Sequence, residues 1–137
     1  MNADQLLERI ANTLRRDIGP AVESEFPKTQ AFMAGVVLQK LGRQLGLAAV
    51  HGAADEADRQ ALLVDLRSAV ESSPLPASVA AAIAQLAGDH DEAAMCALIS
   101  ALYATRSELG EARFEHLLGR VRKNLRASID RRMVYAA

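Results

Sequence analysis

The chain has no tryptophan, three phenylalanines and two tyrosines, so aromatics make up 4% of its 137 residues. That scarcity disfavours a β core of branched and aromatic side chains, and it leaves little to stack on the bases of a nucleic acid. A single cysteine, Cys96, excludes an internal disulfide framework and a cysteine-based zinc site. No apolar run approaches the ~20 residues of a membrane span, and the opening MNADQLLERI has no signal-peptide core. The expectation is a soluble cytoplasmic protein with no membrane association. A net charge of −1 calls for no polyanionic partner, and neither G-x-G-x-x-G nor a P-loop motif occurs to cradle phosphates.

What is present is alanine, with 27 copies, in a chain that is half hydrophobic. Small side chains favour helix and close helix packing. The length fits one domain, residues 1–137, large enough for a conventional core. Lys28–Leu47 is its most informative stretch, apolar on nearly every side at helical spacing. Ala31, Gly35, Leu38, Gly42 and Leu45 share one stripe, and Phe32, Met33, Val36 and Val37 widen it. A helix apolar around most of its circumference needs neighbours on most sides. Two glycines one heptad apart imply close backbone approach that offsets their helix penalty. This helix is expected to be the buried spine of the domain, and a homodimer is expected to help cover it.

Around the spine the spacing predicts an all-α bundle of five or six helices. Leu6, Leu7, Ile10, Leu14 and Ile18 mark the first, with Asp4 as N-cap and Gly19-Pro20 as its end or kink. A short segment Pro20–Glu25 continues it, and Pro27 opens the spine, which ends around Leu47–Gly52. Asp55 or a neighbour caps a third helix over Glu56–Glu71, with Leu62, Leu63, Leu66 and Val70 inward. Ser72–Pro76 reads as a loop. Ala77–Ala87 follows, and Asp89, with Glu92 three residues on, reads as the cap of the next helix. Gly110 suits a helix end, and the last helix, about Glu111–Met133, places Phe114, Leu117, Leu118, Val121, Leu125 and Ile129 on one side.

No residue stands out as catalytic, and neither cofactor nor metal is expected. Asp89-His90-Asp91-Glu92 has ligand-like composition, but acids belong in a first helical turn for the dipole alone. Cys96 falls in the apolar run Ala93–Leu102, where a buried inert thiol is expected. Ala77–Ala104 can be threaded as helix-turn-helix, yet its second helix would lead with Asp89, Asp91 and Glu92, which repel phosphates. Nucleic acid is therefore not an expected partner. Charge is uneven: residues 111–137 carry seven basic and three acidic side chains, residues 1–110 nine and fourteen. If the protein docks on an acidic protein, Arg113, Arg120, Lys123 and Arg131 of the last helix are the expected contacts. The favoured reading of this helix is a solvated cationic face that pairs with acidic neighbours such as the Glu56–Asp65 helix, ahead of binding an acidic protein surface or a phosphate-bearing ligand. The leading expectation is a non-catalytic helical interaction or accessory protein. The alternative is a small-molecule binder or enzyme with a pocket between helices near His90, Cys96 and Tyr103.

The segments LLERIANTLRRDIGPAV, FMAGVVLQKLGRQLGL and VRKNLRASIDRRMVY resemble a family of small helical bacterial proteins without assigned function. Members are often encoded beside aminoglycoside-phosphotransferase-like kinases and acyl-CoA dehydrogenases. The resemblance covers both ends of the chain and not its middle. It implies an accessory role beside an acyl or kinase enzyme and supplies no catalytic residues.

Overall fold

The computed structural model describes residues 1–89 and 91–135, and among these every regular element is helical. Helix α1 (Ala3–Thr13) runs through a π-helical turn (Leu14–Ile18) into the short α2 (Gly19–Ala21). Then come α3 (Glu25–Ser72), α4 (Ala77–Gly88), α5 (Glu92–Ala104), the single turn α6 (Arg106–Leu109) and α7 (Glu111–Met133). With α1 to α2 taken as one rod, this is the all-α architecture of five or six helices that the spacing predicts.

The π turn has a local cause. Pro20 offers no N–H, and its ring crowds the carbonyl one turn back. Widening the preceding turn relieves the crowding, and the Gly19 N–H reaches back to the Leu14 carbonyl. Two expected caps move. The Asn2 N–H donates to Gln5 Oε1 at 3.2 Å, so α1 starts before Asp4. Asp91 rather than Asp89 caps α5, its Oδ1 accepting from the Ala94 N–H at 2.8 Å, while Asp89 ends α4. The expected break near residues 47–55 does not occur either. Ala48, Ala49, Ala53, Ala54 and Ala57 are strong helix formers with no proline among them, and Gly52 alone costs about 1 kcal/mol, too little to stop α3.

The chain divides into two compact units: Met1–Ala54 with the residues from Asp130 onward, and Asp55–Ile129. The second unit holds the core. Leu62, Leu63 and Leu66 of α3, Val79, Ile83 and Leu86 of α4, Leu98 and Leu102 of α5, and Phe114, Leu117, Leu118 and Val121 of α7 are all buried together. The inward faces of α3 and α7 follow the predicted stripes, except that Val70 and Ile129 stay exposed. Arg113 closes the Ser73–Pro76 connection by donating to the carbonyls of Ala69, Ser73 and Pro74 at the end of α3. Gly110 takes φ +82° between α6 and α7, a conformation that favours glycine.

The first unit is built on an antiparallel helix pair of α1 and the start of α3, joined by the end of α7 from Asp130. Gly42 lies against the Asp4 carbonyl, Gly35 against Arg15 and the Ala11 carbonyl, and Gly19 against Phe32. Close approach at Gly35 and Gly42 is what the spaced glycines predict. The expected central burial is overturned. Met33, Val37 and Leu45 are more than half exposed, and Ala11 is the one large or small apolar side chain among the described residues of this unit that is buried. The glycine face is narrow, so mating it to α1 uses one side of α3 and leaves the opposite apolar side open.

Candidate functional site

The basic helix α7 supplies the predicted cations, and the structure engages two of them inside the second unit. Arg113 is held by the loop carbonyls described above. Arg120 pairs with Asp65 of α3, both side chains being about a third exposed. Lys123 is exposed and borders the same small cleft as Asp58, Asp65, Arg120 and Asn124, about 120 Å³ in volume. That is below the ~300 Å³ of a drug-sized ligand site, but Arg113 and Arg120 also border a more open cleft of about 510 Å³ with His116. Arg131 belongs to the first unit and is half-buried. Of the four predicted contacts, Arg113 and Arg120 act as internal struts.

Of the three predicted pocket residues, the structure describes Cys96 and Tyr103, both exposed on α5. His90 lies outside the described residues. Cys96 is exposed, correcting the expectation of a buried thiol, because Ala94, Leu98 and Leu102 carry the inward face of α5. Tyr103 is seven residues on, about 10 Å along the same side of the helix. Its ring packs edge-on against Phe114 with centroids 5.2 Å apart, and its hydroxyl accepts from Arg122 Nη2 at 3.2 Å. Arg106 sits 4.6 Å over the same Phe114 ring and is bonded to Glu111, with Nε donating to Oε2 at 3.0 Å. That hydrogen bond, more than the charge, holds the Glu111 carboxyl below its ordinary range and raises the Arg106 guanidinium. Phe114 is thus roofed by Tyr103 and Arg106, an arrangement that seals a core residue.

Among the described residues no group of three or more His, Cys, Asp or Glu side chains is placed to hold a metal ion. No polar or charged described residue is buried. The feature that departs most from an ordinary surface is in the first unit. Phe26, Met33, Val37, Leu41 and Leu45 lie along α3 at steps of a heptad and then four residues, the spacing of one helix face. They are 72, 58, 53, 44 and 53% exposed. On α1, Leu6 and Ile10 are also exposed, beside the Leu7 and Ala11 positions that meet α3. At ~100° per residue in an antiparallel pair, these α1 side chains fall on the same side of the hairpin as Leu41 and Leu45. Sequence reading singled out Met33, Val37, Leu45, Leu6 and Ile10 but not Phe26 or Leu41, and it placed the α3 residues inside rather than on the surface. It missed the Arg113 strut and the hydrogen bond of 2.7 Å between His51 Nδ1 and the Tyr135 hydroxyl, since neither leaves a local pattern. Comparison with protein families, curated proteins and solved structures gives no match to this chain.

Proposed function

We propose that the protein works by contact and not by chemistry: a cytoplasmic, homodimeric, non-catalytic helical interaction protein, accessory to other proteins. The observation that carries this reading is the apolar face of the first unit. Monomeric proteins rarely leave a contiguous apolar patch of several hundred Å² uncovered, and one rimmed by polar residues marks a binding surface. Unit residues 1–54 carry six basic and five acidic side chains, so both signs surround the face. The family resemblance adds the kind of partner to look for, an acyl or kinase enzyme. An acidic partner surface would meet Lys123, whose neighbours Arg113 and Arg120 are already engaged within the chain.

The test is affinity capture of the tagged chain from its native host, with mass spectrometry of both protein and small-molecule fractions. The reading expects stoichiometric protein and no retained metabolite. A tightly held metabolite without any protein would reverse it in favour of a ligand-binding or enzymatic role.

A further inference from the structure

We infer that the exposed apolar face of the first unit, Phe26, Met33, Val37, Leu41 and Leu45 of α3 with Ile10 of α1, is covered by the same face of a second copy of this chain. The inference rests on the contact-based function proposed above and names the occupant of its surface.

Three observations select a second copy. The first is the missing core. An antiparallel helix pair whose one fully buried apolar side chain among the described residues is Ala11, with Leu7, Leu14, Val36 and Leu38 only half-buried, has a thin core of its own, and helical hairpins reach a core by pairing into four-helix bundles. The cover must then be present whenever the chain folds, and a second copy always is.

Area is the second. A buried Val, Leu, Ile, Met or Phe side chain removes on the order of 100 Å² of apolar surface from water. With Leu6 and Ile18 added, eight such side chains are about half exposed here, holding about 400 Å². Apolar atoms form about 60% of an interface, so covering them buries about 700 Å² per copy, close to the ~800 Å² per partner of a stable complex.

The third is charge. A two-fold contact sets a patch against itself, so a patch of one sign repels its own copy. Here Arg9, Arg15, Arg16 and Lys40 are interspersed with Asp4, Glu8, Asp17 and Glu25. The α3 stripe carries Gln30 and Gln44 as polar members, with Thr29 and Lys40 at its edge. This surface is compatible with its own copy.

The test compares the full chain with a Val37→Glu/Leu41→Glu variant by light scattering and far-UV circular dichroism. Val64→Glu, at an exposed valine of the second unit, is the control. The expected result is twice the 14.7 kDa chain mass for the parent and the control. The double variant should raise the dissociation constant at least a hundredfold. Should the Glu pair unfold the first unit, Val37→Ser/Leu41→Ser keeps helicity and must still weaken the dimer. A parent of single-chain mass at tens of micromolar overturns the inference and leaves the face to a foreign protein or, if anionic vesicles bind it, to a lipid surface. A dimer indifferent to both double variants overturns it too, placing the contact elsewhere. Neither result touches the proposal of non-catalytic function, which fails only on metabolite retention or turnover.

Discussion

Replacing Gly35 by leucine puts a branched side chain where the backbones of α1 and α3 come closest. A Cβ built on Gly35 would lie 2.5 Å from Arg15 Cγ and 3.1 Å from the Ala11 carbonyl oxygen. The Arg15 stem can swing away, at the expense of its 3.0 Å bond from Nη1 to Gln39 Oε1. The Ala11 carbonyl cannot, because it belongs to the helix backbone. Overpacking of this kind costs about 1–3 kcal/mol. Leucine's better helix propensity offsets about 0.8 kcal/mol of it. The net expectation is a loss of about 0.2–2 kcal/mol, larger still once the Arg15–Gln39 bond is given up. Chemical unfolding followed by far-UV circular dichroism reads it. Gly119→Ala is the counter-experiment: nothing lies within 4 Å of that position in α7, so alanine should stabilise by about 0.5–1 kcal/mol. A Gly35→Leu chain as stable as the parent refutes the close-packed hairpin.

Leu66→Ala removes a fully buried side chain from the core of the second unit and should cost about 2–5 kcal/mol in the same unfolding assay. Arg113→Ala strips the donors from the Ala69, Ser73 and Pro74 carbonyls. It should cost about 1 kcal/mol and show as a lower Tm for the second unit, with no effect on assembly. Glu111 should titrate below the ordinary carboxylate range by NMR, and Arg106→Ala should return it toward normal. Because its folded value is lowered, the pair's stabilisation is present above the unfolded carboxylate's pKa and is lost as pH falls through the folded value. Glu111→Gln should remove that acid-side dependence.

The helices and their inward faces were legible where one periodic stripe met one neighbour. Leu62, Leu63 and Leu66, or Phe114, Leu117, Leu118 and Val121, needed only 3.6-residue spacing to be placed inside. Lys28–Leu47 was legible as a helix with a glycine seam, and illegible as a surface. Hydrophobicity on all sides states that neighbours are needed, without saying whether the same chain provides them. Caps were misplaced by two residues at both Asn2 and Asp91, because several Asp and Asn residues compete near each start. The fusion of two expected helices into α3 shows a related limit: Asp55 has a cap's side chain but sits in an alanine-rich run that prefers to continue. Pairing of the basic helix with Glu56–Asp65 was the favoured reading, and Arg120 meets Asp65 as it expects; that Arg113 would instead hold loop carbonyls was not legible, because those partners lie some forty residues away and are backbone.

Amide hydrogen exchange measured as a function of protein concentration tests the covered face most directly. Amides of α3 between residues 33 and 45 should be protected at high concentration and lose protection on dilution through the dimer's dissociation, while those at Leu62–Leu66 keep theirs. Exchange at residues 33–45 that does not change with concentration would contradict the account.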